Sequence, residues 1–145
     1  MASPNCLATL SGTALSRTGW VASTNSASAG ADVPANALDG NLTTRFSTDE
    51  VQAAGLNFEV NMGSAQTFNE LVMAVPNSAT DYARDYEVQV SSDGATWNTV
   101  ARCTGSATPE VVSFPAQTAQ YVRVVLRAGG TTFWWSIDEF NLYKS

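Results

Sequence analysis

The chain predicts an all-β fold, and three observations predict it. Short runs alternate apolar and polar residues, turn signals recur between them, and no stretch carries the helical period of an amphipathic helix. Seven or eight such strands, with turns about every 8–12 residues, read as a β-sandwich or jelly roll.

Each element has its own justification. Leu56-Asn57-Phe58-Glu59-Val60 alternates, with one side for a core and one for water. Tyr86-Glu87-Val88-Gln89-Val90 does the same. After it comes SSDGAT, a turn with Asp93-Gly94 at its tip, which predicts a hairpin ending near Trp97. Further strands fit at Glu70–Val75, Val111–Phe114, Tyr121–Leu126 and Ile137–Tyr143. From Trp20 to Gln52 the chain is rich in Ser, Ala, Asn, Asp and Gly and reads as one long loop. A loop of that length inside a compact domain needs something to hold it. With 145 residues and no interdomain linker or repeat, residues 1–145 read as one domain.

Composition narrows the function. Hydrophobic residues make up 44% and charged residues 14%, the balance of a globular chain. The net charge is −6 with the cations scattered, which argues against nucleic acid and against electrostatic binding to anionic lipid. There is no histidine, so the usual general base and most transition-metal sites are missing. No apolar run reaches the roughly 18 residues that a membrane span needs, and no secretory leader is legible. Cys6 and Cys103 are the only cysteines. They are either two unrelated buried thiols or one disulfide. An even count and an Asn/Thr/Ser-rich surface suit a secreted protein.

Three places carry candidate chemistry. In ANALDGNLTTRFS, Asp39, Asn41 and Thr44 offer oxygens around Gly40, a set for a hard cation such as Ca²⁺ or for a solvated turn. Near the end, FWWSIDEFNLYKS carries adjacent tryptophans. Neighbours on a strand face opposite sides, so at least one indole is expected to be exposed, Trp135 first and Trp134 second. A bare indole can stack on the apolar face of a pyranose. Asp81, Tyr82 and Arg84 enter the strand at Asp85 and offer a carboxylate, a phenol and a planar cation for vicinal hydroxyls.

The segments Ala37-x-Asp39-Gly40-x-x-x-Thr44-x-Phe46, DYEVQVSSDGATW, QYVRVVL and WWSIDEFNLY, in that order, resemble the discoidin family. Its members include coagulation-factor type C domains and the family-32 carbohydrate-binding modules. The resemblance implies an eight-stranded jelly-roll β-sandwich. It implies a structural calcium ion held by Asp39, Thr44 and Glu139, with carbonyls near Asn36, Asn41 and Asp138. It implies that Trp134 lies in the apical binding loop, and that Phe46 fills a core position usually held by Trp. Ser47 stands where galactose-binding members commonly have His, and Ala74 and Thr80 stand where they have Arg and Asn, so terminal galactose is not the expected ligand.

The function expected is a non-catalytic, secreted module. It would hold a parent glycoside hydrolase or lyase near a glucan or other cell-wall polysaccharide, with Kd between about 1 mM and 1 μM. A membrane or cell-surface adhesion module is the second reading, since Trp favours interfaces. An enzyme is the third, with Asp81 and Asp85 or Asp49 and Glu50 as nominal carboxylate pairs.

Overall fold

The computed structural model describes residues 4–27, 30–106 and 109–145. Nine strands and one short 3-10 turn build the described residues. The strands are β1 (Thr13–Ala14), β2 (Val21–Ser23), β3 (Phe46–Val51), β4 (Asn57–Ala74), β5 (Asp85–Ser91), β6 (Asn98–Thr104), β7 (Glu110–Leu126), β8 (Trp134–Ile137) and β9 (Glu139–Lys144). The 3-10 turn spans Pro34–Leu38.

One seven-stranded antiparallel sheet runs in the order β1-β9-β4-β7-β5-β6, with β2 also paired to β4. β3 and β8 form a second, two-stranded sheet. The two sheets meet through aromatic rings. Phe46 of β3 lies 5.7 Å from the Trp135 ring and 5.1 Å from Phe58 of β4, and Phe58 lies 5.3 Å from Phe140 of β9. All four are fully buried. Rings at these tilted and edge-on spacings add about 0.5–1.5 kcal/mol per pair beyond area burial.

Three strand readings differ from the sequence reading. The strand expected at Ile137–Tyr143 is cut at Asp138, so that Ile137 ends β8 of the small sheet and Glu139 opens β9 of the large one. Residues 57–60 and 70–74 belong to one long strand, β4, and residues 111–114 and 121–126 to another, β7. Their shared ladder is irregular between Asn61 and Gln66. Gly63 there has φ +81, a backbone region open chiefly to glycine. The two halves serve different neighbours. The first half of β4 pairs with β2 and the second with β9. The turn-rich residues between them read locally as a break, but the ladder continues across them.

β5 keeps the expected alternation, with Tyr86, Val88 and Val90 buried and Asp85, Glu87 and Gln89 outward. Its turn to β6 is held by Asp93, whose Oδ1 accepts from the backbone N of Ala95 (2.8 Å) and of Thr96 (2.9 Å). Cys6 and Cys103 form a disulfide that ties the N-terminal segment to β6, the outer strand of the sheet.

One buried carboxyl makes the fold sensitive to pH. Glu110 at the start of β7 is 5% exposed; its Oε1 accepts from Ser106 N, and its carboxyl hydrogen-bonds with Tyr86. Burial pushes its pKa up to about 8. The folded state therefore holds a proton there that the unfolded chain releases near the ordinary carboxyl pKa. Stability from this group is full in acid and is lost as pH rises through about 8. Thermal melts should show wild-type stability falling by about 2–5 kcal/mol between pH 5 and 9, and Glu110→Gln should flatten that slope. An unchanged slope in the variant would remove Glu110 as its source.

Candidate functional site

Trp134 is the one exposed tryptophan of the four, at 39%. It opens β8 and pairs in register with Val51 of β3. Beside it Phe133 is 41% exposed and Val51 37%, so three apolar side chains stand together at this end of the molecule.

The expectation for Trp135 is corrected. It is fully buried against Phe46, and its backbone N donates to Thr48 Oγ1 at 3.1 Å. The two indoles do face opposite ways, but Trp135 takes the inner side together with Ile137. Trp134 shares the other side with Ser136, two residues on.

That other side is built on charge. Arg45, next to Phe46, carries its guanidinium to 5.9 Å from the Trp134 ring centroid. It pairs with Asp32 at 3.3 Å and with Asp81 at 3.2 Å. Asp81 is buried, and its Oδ2 also accepts from Ser136 Oγ at 2.9 Å. Asp81 is thus committed to positioning Arg45 and β8, and is not an open rim group as expected. Asp32 has its carboxyl pKa raised, first by burial and then by a hydrogen bond with Asp49. Asp49 sits in the irregular part of β3 with φ 53, a left-handed conformation that Asp tolerates better than most residues.

Arg84 stacks with Tyr82 and Phe133. The Arg84 guanidinium lies 3.7 Å from the Tyr82 ring centroid and 4.7 Å from that of Phe133, and donates to the carbonyls of Thr80 (2.6 Å) and Tyr82 (2.8 Å). Gln52 joins the three loops. Its Nε2 donates to the carbonyls of Tyr82 (2.8 Å) and Trp134 (3.1 Å), while its Oε1 accepts from Arg84 N (3.2 Å).

A cleft of about 230 Å³ lies over Gln52, Arg84 and the loop 129–133. A second, of about 290 Å³, is lined by Asp32, Arg45, Asn77, Ser78 and Asp138 among others. Sequence reasoning missed Arg45, Gln52 and Phe133. The alternation around Phe46 puts Arg45 on the outer side and could have found it. Nothing local marks Gln52, whose role comes from three loops meeting.

The oxygen cluster forms at the end of the 3-10 turn. Asp39 Oδ1 accepts from Asn41 N at 2.9 Å, and its Oδ2 is in contact with Thr44 Oγ1. Thr44 Oγ1 also lies 3.0 Å from the Asn41 carbonyl oxygen. Gly40 follows with φ +73, which the tight turn requires. Asn36 donates its side-chain Nδ2 to the carbonyls of Ala31 and Arg45. Glu139 on β9 is buried. Its Oε1 pairs with Arg17 Nη2 at 3.0 Å, and its Oε2 is buried with no hydrogen-bond partner. Arg17, unnoticed in sequence, also donates to the carbonyls of Phe140 (3.0 Å) and Ala37 (3.4 Å), and so joins the 3-10 turn to β9.

Among the described residues no three His, Cys, Asp or Glu side chains cluster as a metal centre. A site made mostly of carbonyls and a hydroxyl needs no such cluster. The unsatisfied Oε2 and the hard-oxygen donors of the turn fit a calcium ion.

Several known proteins are similar to this chain. The model of the F5/8 type C domain matches residues 20–140. A sialidase of Micromonospora viridifaciens is 32% identical over 98 residues, which is 62% of this chain and 15% of that enzyme. The chain therefore spans a small part of that relative's length. Chitosan-binding module 1 from a chitosanase/glucanase of Paenibacillus sp. IK-5 is 33% identical, with a TM-score of 0.73 over 88% of this chain and 96% of that one. The family 32 module of Clostridium perfringens NanJ, solved with galactose, is 23% identical with a TM-score of 0.79 over 91% of this chain and 98% of that one, and shares the fold. By sequence and by architecture alike, this chain belongs to the F5/8 type C, or discoidin, domain family, and its structural neighbours are carbohydrate-binding modules.

Proposed function

We propose that this chain is a non-catalytic carbohydrate-binding module. It would hold a secreted polysaccharide-degrading enzyme near a glucan or another cell-wall polysaccharide. The observation that carries this reading is the exposed Trp134 indole, with a cleft over Gln52 and Arg84 to one side and one lined by Asp32 and Arg45 to the other. Its indole can cover the C–H face of a pyranose while Arg84, Asp32 and the loop backbones meet hydroxyls.

A β-linked chain of glucose or glucosamine suits the site best. The net charge of −6 and the Asp32–Asp49 carboxyl pair favour an aminosugar polymer, and the 33%-identical chitosan-binding module supports that class. The small share of the sialidase that this chain covers supports a role as an appended module.

The test is retention on insoluble chitosan, cellulose and other β-glucans. Wild type should be held on at least one, and Trp134→Ala should weaken binding about tenfold or more with an unchanged melting temperature. Retention on none of the panel would overturn the reading. The second reading, membrane adhesion, draws on Val51, Phe133 and Trp134 standing exposed together. The acidic balance opposes it, and flotation with liposomes would be its positive result.

A structural calcium ion belongs to the same proposal. Asp39, Thr44 and Glu139 would hold it with carbonyls of Asn36, Asn41 and Asp138. It would neutralise the buried Glu139 Oε2 and staple the early loop to β9. A chelator should lower the melting temperature of wild type by about 5–10 °C and that of Asp39→Ala hardly at all. Equal melts with and without chelator in wild type would remove the ion from the account.

A further inference from the structure

We propose that the binding surface is a groove that reads the interior of a glycan chain, with Trp134 between two unlike clefts. This rests on the carbohydrate-binding reading and adds the part of the polymer that is recognised.

The placement follows from the β3–β8 pair. Phe46 faces Ile137 at one end of the ladder and Val51 faces Trp134 at the other. The cleft over Gln52 and Arg84 lies at the Trp134 end, because its wall is the loop 129–133 that feeds into Trp134. The cleft lined by Asp32, Arg45, Ser78 and Asp138 lies at the Phe46 end, because Arg45 immediately precedes Phe46 and Asp138 immediately follows Ile137. Three residue steps on β8 separate the ends, about 10 Å at ~3.3 Å per residue, while the irregular β3 takes five steps over the same span.

Trp134 adjoins a lining residue of each cleft. Its carbonyl accepts from Gln52, which lines the first, and Arg45, which lines the second, lies 5.9 Å from its ring. At about 230 and 290 Å³ the two clefts sit at or just below the roughly 300 Å³ low end of ligand pockets. A chain end stacked on Trp134 would fill one and leave the other to water. A chain passing over the indole fills both.

The two clefts also differ chemically. Arg84 lines the first, and among the described residues it is in no ion pair. Its plane is held by the rings of Tyr82 and Phe133, so it presents fixed donors. The second cleft instead carries a carboxylate, Asp32, paired with the Arg45 guanidinium, and the amide of Asn77, so it offers acceptors as well as donors. A polymer with unlike edges would therefore bind in one direction.

Calorimetry with glucosamine and cello-oligosaccharides of one to six units tests this. Affinity in the series that binds should rise about tenfold or more from two units to five, and borohydride reduction of the chain end should leave the five-unit affinity unchanged. Arg84→Ala and Asp32→Asn should each weaken the five-unit ligand more than the two-unit one, with melts showing that both variants stay folded. Arg84→Lys keeps the charge but loses the planar fork, and should weaken the long ligand as well. A single sugar binding as tightly as the pentamer, or loss of binding on end reduction, would overturn the groove while leaving the carbohydrate-binding reading standing. No binding in either series, together with no retention on the insoluble panel, would remove both.

Discussion

Trp135→Ala should lower the unfolding free energy by about 3–5 kcal/mol, measured by denaturant or thermal unfolding. The side chain is fully buried and meets Phe46 edge-on at 5.7 Å, and Phe46 in turn touches Phe58. Removing it opens a cavity where the two sheets meet, and the surrounding rings have only each other to collapse onto. The contrast with its neighbour is the informative part. Trp134→Ala is expected to spare stability and weaken binding, whereas Trp135→Ala is expected to do the reverse at temperatures where it remains folded. If Trp135→Ala left stability within about 1 kcal/mol of wild type, the assignment of the inner indole to the core would fail.

Breaking the Cys6–Cys103 bond, by reduction or by replacing both with Ser, should cost about 4–5 kcal/mol in the chain-entropy model. The bond spans 97 residues of sequence, so the reduced unfolded chain gains the freedom of a very long loop. For a chain of this size the melting temperature should fall by about 10–15 °C. The effect should be larger than that of a local surface change, because the bond also pins the outer strand β6 to a segment that otherwise meets β7 through the Asn5–Ser113 bridge. A melt unmoved by reductant, with thiol titration confirming two free thiols, would count against the stabilising role.

Much of the scaffold was legible. β5 alternates in sequence as it does in burial, and Asp93-Gly94 makes the hairpin turn that its residue types demand. Phe46 was expected in the core and lies there. Two things were hidden. Phe46-Ser47-Thr48-Asp49-Glu50-Val51 has too few apolar residues to read as a strand, yet it forms β3 because β8 supplies its partners. The charged floor beneath Trp134 was equally hidden. Asp32, Arg45 and Asp81 are far apart in sequence, and only the meeting of the early loop with the loop before β5 brings them to 3.2–3.3 Å.

The sequence by itself determined that neighbouring tryptophans on a strand must part, one inward and one outward. It did so because side chains on a strand alternate with a period of two. A period carries no phase. Which indole faces the core was decided by the register of β8 against β3, which seats Trp135 on Phe46 and leaves Trp134 beside Val51 in water. A shift of that register by one residue would exchange the two, and with them the binding plate and the core.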